Sequence, residues 1–205
     1  MKKKSLTFVL SAPSGAGKTS ISNKITGLVR NLKHSISHTT RPPRPNEING
    51  QDYFFISREE FQGKIDKGDF LEWADVFGNL YGTSVENVQW AEKENCDLLF
   101  VIDVQGAETL RKLKHPGIYI FLLPPSLHEL KNRLNNRKVN TPEEIEKRLA
   151  RARKEIFHYK AYDYVLVNED LEEAADQVRS IIIAERCRGS RFDPSQVDLD
   201  LETPD

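Results

Sequence analysis

The sequence predicts an α/β fold of the P-loop three-layer kind: a mostly parallel sheet between layers of helices, with an inserted subdomain and a helical lid. Three observations predict it. Two continuous apolar runs, Leu98-Leu99-Phe100-Val101-Ile102 and Ile118 to Leu123, lack polar alternation, so each reads as a strand buried on both faces. Helical patterns lie between such runs, which is how parallel strands are joined. A glycine-rich segment, Ala12-Pro13-Ser14-Gly15-Ala16-Gly17-Lys18-Thr19, follows a first apolar run, Leu6 to Leu10, and opens a helical pattern.

After that segment, Ile21, Ile25, Leu28, Val29 and Leu32 keep helical spacing. Ser57 with Glu60 reads as a capping box for a helix that stops near Gly68. Val85, Val88 and Ala91 suggest another helix before the 98–102 strand. The run Ile118 to Leu123 is ended by Pro124-Pro125, and Ser126 with Glu129 caps the next helix. Thr141-Pro142-Glu143-Glu144 has the cap, the first-turn proline and the third-position glutamate of a helix start. Tyr164 to Val167 reads as a late strand, and Leu171 to about Arg186 as the last helix.

Two stretches break the alternation. Residues 37–81 hold short strands, prolines and aromatics and read as an insertion. Residues 132–156 are strongly charged and helical, with little apolar content, and read as a mobile cover. The core is then 1–36, 82–131 and 157–188. The tail, 189–205, has several acids and few large apolar residues and is expected to be disordered. No internal repeat is present.

The chain of 205 residues is long enough for one sizeable core with insertions, and a formal net charge of −1 predicts no nucleic acid and no membrane as partner. The basic start, Met1-Lys2-Lys3-Lys4, precedes an apolar stretch of about six residues, too short for a signal peptide or a span. Cys96 and Cys187 lie far apart without metal-ligand spacing and suggest a reducing compartment, so a cytoplasmic location is expected. The histidines, His34, His38, His115, His128 and His158, are scattered, which gives no zinc motif.

Strand, glycine-rich turn and helix together are a context that holds phosphate. Backbone N–H groups of the turn bind phosphate oxygens, and the helix N-terminus adds partial positive charge. Lys18 would reach the terminal phosphates of a nucleotide, and the Thr19 hydroxyl would hold Mg²⁺. The usual pattern begins with glycine where this chain has Ala12, so an ordinary turn rich in small residues is the alternative. In the insertion, Arg41 and Arg44 stand three residues apart on a proline-stiffened backbone and could grip one phosphate, with Tyr53 and Tyr81 adding hydroxyls. A solvated proline-rich loop reads equally well on spacing alone. Asp103 closes the 98–102 run at the end of a parallel strand, where open α/β sheets place ligands. There it would hold Mg²⁺ through water, orient an acceptor, or simply cap the next helix.

Several segments taken jointly make the chain resemble the guanylate kinases, from Leu6 to about Arg186. They are the glycine-rich segment; Ser37-His38-Thr39-Thr40-Arg41-Pro42-Pro43-Arg44; Asn49-Gly50-Gln51-Asp52-Tyr53; Phe70-Leu71-Glu72-Trp73-Ala74; Asn79-Leu80-Tyr81-Gly82-Thr83; Ile102-Asp103-Val104-Gln105-Gly106; and Val167-Asn168. The resemblance implies transfer of the γ-phosphoryl of ATP to GMP, and to dGMP, with Mg²⁺ as cofactor, by a monomer or small homo-oligomer. It makes 37–81 the GMP-binding insertion and 132–156 the lid.

It also implies roles. Ala12, Pro13, Ser14, Gly15, Ala16, Gly17, Lys18 and Thr19 would bind ATP, with Asn168 near the adenine. Arg41, Arg44, Tyr53 and Tyr81 would bind the GMP phosphate; Ser37, Thr83, Glu72 and Asp103 would complete the GMP site. Glu72 would accept from guanine N1–H and the exocyclic amine. Adenine lacks that N1–H, which leaves a carboxylate unpaired at about 1–3 kcal/mol. Lid residues Arg133, Arg137 and Arg148 would converge on the transferring group, with Lys18, Arg41 and Asp103 also catalytic. Arg151 and Arg153 fit a solvated face paired with Glu143, Glu144 and Glu146. Two departures stand out: many guanylate kinases have a second acid where this chain has Val101, and often a glycine where Lys138 follows Arg137. A scaffold domain that binds phosphopeptides, and a kinase for another phosphorylated acceptor, are the rival readings. Lys18, Gly15 and Gly17 argue against the first; Glu72, Ser37 and Thr83 argue against the second.

Overall fold

The computed structural model describes residues 5–136, 141–192 and 194. A five-stranded, wholly parallel sheet runs in the order β2-β7-β1-β8-β9. Its strands are β1 (Thr7–Ser11), β2 (Leu32–His34), β7 (Asp97–Ile102), β8 (Ile118–Leu123) and β9 (Tyr164–Val167). A second sheet, β4-β3-β6-β5, holds β3 (His38–Thr39), β4 (Phe54–Phe55), β5 (Phe70–Val76) and β6 (Asn79–Ser84). The helices are α1 (Lys18–Leu28), α2 (Arg58–Lys67), α3 (Val85–Glu94), α4 (Val104–Lys112), α5 (Leu127–Asn136), α6 (Pro142–Glu155) and α7 (Leu171–Arg186). Among the described residues no helix is long and apolar enough to cross a membrane.

The period of two in the central strands sorts their side chains to two cores. Phe8, Leu10 and Leu99 face Ile21 and Ile25 of α1 and Val178 and Ile182 of α7. Val9, Phe100 and Tyr119 face Ala91 of α3 and Ala107 and Leu110 of α4. Burial on both faces explains why these strands read as unbroken apolar runs. The C-terminal ends of β1 and β7 lie side by side, with Ser11 opposite Ile102, and the chain leaves them as the glycine-rich loop and Asp103.

Helix boundaries follow local chemistry. Ser57 and Glu60 make a reciprocal capping box, and Gly68 ends α2 in the left-handed region. Thr141 and Glu144 do the same for α6, with Pro142 in its first turn. The helical spacing that reached Leu32 is cut short. Helix α1 ends at Leu28, Asn31 takes φ 58, and Leu32 pairs with Asp97 as a strand residue. Val29 and Leu32 are buried as the period requires, but by a turn and a strand.

The segment read as a charged cover also has a core of its own. Ile145, Leu149 and Ala152 of α6 meet Leu130 and Leu134 of α5. Few apolar residues suffice because they fall on one stripe of each helix. At the other end of the chain, Gly189–Arg191 forms a single 3-10 turn. The Arg191 guanidinium lies 2.6 Å from the Glu185 carboxylate, which also accepts from Tyr164 at 2.6 Å. Apart from Phe192 and Pro194, the rest of the expected tail lies outside the described residues.

The small α5–α6 core gives a prediction. Leu149→Ala removes a buried side chain worth about 2–5 kcal/mol, and the loss falls on the helix pair rather than on the sheet. Hydrogen exchange should quicken across α6 while amides of β1 and β7 keep their protection.

Candidate active site

The glycine-rich loop sits where β1 hands over to α1. Gly15 and Gly17 adopt φ 99 and 104, a region L side chains avoid. A Cβ on Gly17 would lie 2.3 Å from Asn168 Nδ2, and one on Gly15 would lie 2.9 Å from Leu134 Cδ2. Glycine is thus required by conformation and by space. Ala12 is buried and keeps an ordinary negative φ, so the backbone there does not call for glycine. Lys18 Nζ donates to the Ala12 carbonyl at 2.6 Å, which curls the side chain back over the loop. Pro13 and Ala16 turn away from the cavity: the Pro13 carbonyl accepts from Ala16 N at 3.2 Å, and the Ala16 carbonyl accepts from Asn168 Nδ2 at 2.7 Å.

Facing this loop across one cavity is the second sheet. Ser37, Arg41, Arg44, Tyr53, Glu72 and Tyr81 line that wall; Ser14, Gly15, Gly17, Lys18 and Thr19 line the other. At about 260 Å³ the cavity falls below the ~300–1,000 Å³ usual for small-molecule sites, so two large ligands require its walls to part. Arg41 donates to Glu47 through two contacts of 2.8 and 2.9 Å and to Tyr81 Oη at 3.2 Å. Glu47 also accepts from the Arg44 backbone N–H at 2.7 Å. Both Glu47 oxygens thus share one guanidinium nitrogen, Nη2, while Nη1 donates to the Pro42 carbonyl at 2.6 Å, so the side chain is fully engaged and an anion binding there must displace Glu47. Burial raises the Tyr53 phenol above its usual range, so it is a neutral donor at physiological pH.

Glu72 is buried to 4 % exposure on β5. Its Oε1 accepts from Thr83 Oγ1 of the neighbouring β6 at 2.6 Å, and Thr83 reaches the site through this bond rather than by lining the cavity. Burial pushes the Glu72 carboxyl up to about 7; the Thr83 hydrogen bond opposes the shift, and the Asp103 charge adds to it. The carboxyl sits against α4: a Cβ on Gly106 would lie 2.4 Å from Glu72 Oε2.

Asp103 fills one of the roles the sequence left open, the helix cap, from a position at the cavity. One oxygen caps α4, accepting from Gly106 N at 2.9 Å. The other accepts from Arg151 at 2.7 Å, and the residue lines the cavity. Arg151 is therefore not the solvated residue its sequence context suggested. It also pairs with Glu155 at 2.5 Å, while Glu146 takes Lys131 as partner. Glu155 is largely buried at the end of α6, and burial raises its carboxyl despite the Arg151 hydrogen bond. Arg148 reaches the glycine-rich loop, donating to Ser14 Oγ at 2.8 Å. Sequence reasoning missed Glu47, Phe77 and Glu155, all of which bear on this site. The spacing of Arg148 and Arg151, three residues apart on one helix face, was the available signal for Arg151.

Besides Pro13, Ala16 and Thr83, two more expected residues stay out of the cavity. Arg133 pairs with Glu129 and donates to the Asn168 carbonyl at 2.9 Å. Asn168 is buried beneath the loop as its strut. Both support the site from behind rather than facing it. Arg137 and Lys138 lie outside the described residues. Among the described residues no group of three histidine, cysteine or carboxylate side chains could hold a metal alone.

The comparisons fit this geometry. A family model described as guanylate kinase matches residues 4–185. The guanylate kinase of Geobacter metallireducens is 44 % identical, over 93 % of this chain and 94 % of its own length. That of Syntrophotalea carbinolica is 48 % identical, over 94 % of this chain and 91 % of its own. The crystal structure of guanylate kinase from Anaplasma phagocytophilum superposes with TM-score 0.76 at 38 % identity, covering 93 % of this chain and 90 % of that one.

Glu72 makes stability depend on pH with a definite sign. Its carboxyl titrates near 4.5 when unfolded and near 7 when folded. Between those values the folded protein holds a proton that the unfolded chain has released, so stability falls as pH rises through the window. The loss is roughly 3 kcal/mol at most. Urea titrations across this range should show the slope in the parent and a flatter profile in Glu72→Gln.

Proposed function

The chain belongs to the guanylate kinase family, and from that premise we propose that it transfers the γ-phosphoryl group of ATP to GMP, giving ADP and GDP. One observation carries the reading. A buried carboxylate and an arginine pair form one wall of a cavity whose other wall is a glycine-rich loop with its lysine. With its walls parted, such a cavity holds a base, its phosphate and a triphosphate in line.

On the acceptor side, Glu72 in its ionised form accepts from guanine N1–H and the exocyclic amine, with Ser37 and Thr83 beside it. A base without those donors leaves the carboxylate unpaired, which is how a polar site discriminates by orders of magnitude. The dGMP base presents the same donors, so it is accepted as well. The GMP phosphate takes over Arg41 from Glu47, with Arg44, Tyr53 and Tyr81 completing its shell. Bidentate guanidinium contacts fix the phosphate's orientation as well as its charge.

On the donor side, main-chain amides of Ser14, Gly15, Gly17 and Lys18 cradle the triphosphate, and Lys18 leaves the Ala12 carbonyl for the terminal phosphates. The Thr19 hydroxyl would hold Mg²⁺, whose remaining ligands are phosphate oxygens and water, as is usual for this ion at nucleotide sites. Bound there, Mg²⁺ supplies charge neutralisation on the phosphate oxygens. Arg148 and Lys18 stabilise the charge that spreads over the transferring group, and Asp103 orients the acceptor side. No covalent intermediate is needed; positioning supplies the rate. On this reading the enzyme works in the cytosol, where Cys96 and Cys187 remain thiols.

A coupled ADP-release assay over GMP, dGMP, AMP, CMP and UMP tests the proposal. Activity with GMP and dGMP alone is expected; equal activity with AMP, or none with any acceptor, would overturn it. Lys18→Met should remove most turnover while the thermal midpoint holds. Glu72→Ala should raise the KM for GMP far more than the KM for ATP.

A further inference from the structure

Residues 77 and 78 form a two-residue turn joining β5 to β6, with Val76 opposite Asn79. Both have positive φ, 54 at Phe77 and 84 at Gly78. Turns of this shape call for Asn, Asp or Gly at the first position, because a larger side chain is strained in the left-handed region. Phenylalanine there is a costly choice for the turn. Nor does the core explain it, since the ring remains 39 % exposed. A strained aromatic residue outside the core asks what its ring touches.

The ring touches two arginines from a different part of the chain. Arg148 and Arg151 of α6 place their guanidinium carbons 4.8 and 5.0 Å from the Phe77 ring centroid. Each arginine is also bonded to the opposite side of the site: Arg148 to Ser14 of the glycine-rich loop, Arg151 to Asp103. The turn itself is tied down at its base. Gly78 N donates to Asp75 Oδ1 at 2.7 Å, and Gln105 of α4 donates to the Asp75 carbonyl at 2.9 Å. Phe77 is thus where the hairpin that carries Glu72 meets the helix that carries the arginines.

We infer that Phe77 is a positioning residue, a clasp whose ring holds Arg148 and Arg151 on the donor side in step with the hairpin that carries the acceptor's base-binding carboxylate. The inference rests on the kinase reading and deepens it. When the acceptor sheet moves, the aromatic face moves with it, and the two guanidinium groups follow through cation–π attraction. An aliphatic side chain of similar size fills the same space without the negative ring face that attracts them. Occupancy of the acceptor side therefore sets the arginine geometry on the donor side. This couples the two sites through one contact rather than through the whole sheet.

Phe77→Leu and Phe77→Tyr separate the clasp from simple packing, because both keep a branched or aromatic side chain in the same left-handed backbone. The measurements are kcat, each KM, and the factor by which saturating GMP tightens a non-hydrolysable ATP analogue. Without an aromatic face for either guanidinium, the Leu variant should drop about tenfold in kcat and lose most of that coupling factor. Phe77 also lines the cavity, so the affinities for GMP alone and for the analogue alone are measured too; they should stay within about twofold, since the ring brings no hydrogen-bonding group to either nucleotide. Tyr, which keeps the aromatic face, should restore both readouts. Wild-type behaviour in the Leu variant, or equal losses in Tyr and Leu, would overturn the inference. If the parent protein releases no ADP in response to GMP, the kinase reading itself fails and the inference falls with it.

Discussion

The Asp103 carboxylate is the contact on which the arrangement of the molecule depends. Its position follows from β7, a strand buried on both faces and therefore fixed in register by its neighbours. One oxygen caps α4, and the other holds Arg151 of α6. Charge-assisted bonds of this kind are stronger than neutral ones, and here they join core to cover. The same helix start brings Gly106 against Glu72 and Gln105 against the Asp75 carbonyl. Core, second sheet and α6 thus meet within one turn of α4.

Charge placement inside the cavity follows one rule: buried ionic groups find charged or polar partners, across elements at Asp103–Arg151 and along one helix at Arg151–Glu155. Arg41 pairs with Glu47 within the insertion, Arg151 bridges Asp103 and Glu155, and Arg148 reaches Ser14. Glu72 is the exception. It is buried with a hydroxyl as partner and no cation, and its carboxyl is accordingly displaced toward neutrality. A carboxylate held without its counter-ion is suited to a neutral ligand that brings hydrogen-bond donors, which is the chemistry of a guanine edge.

Much of the fold was legible because it is written locally. The capping boxes at Ser57 and Thr141 and the apolar runs at 98–102 and 118–123 depend on neighbours in sequence. The two-residue and three-residue strands β2, β3 and β4 were less so, since so short a strand exists through its partners and not through its own periodicity. Leu32 illustrates the problem: it satisfied a helical period and is buried, yet it belongs to a strand. In the site, the glycine loop announced itself by spacing, whereas the Arg41–Arg44 pair read equally well as a solvated loop on spacing alone and took its role from the resemblance. Arg151 did not announce itself, because its partner Asp103 lies 48 residues away and a charged helix offers several nearer carboxylates. Asn168 gave its position but not its task, which is set by the loop folded above it. For Asp103 the sequence offered a cap or a site; one oxygen makes the cap, and the other holds Arg151, a partner 48 residues away that no local pattern announces.

On the kinase reading, the Glu47 carboxylate held by Arg41 has a consequence for selectivity against simple ions. A tethered anion acts at high effective concentration, because the chain that carries it never diffuses away. Free phosphate or sulfate in solution must compete with it while bringing nothing else to the encounter. An anion that arrives attached to a base gains the contacts at Glu72 in the same event and can displace it. On that reading the paired guanidinium discriminates against bare inorganic ions and stays oriented while it waits.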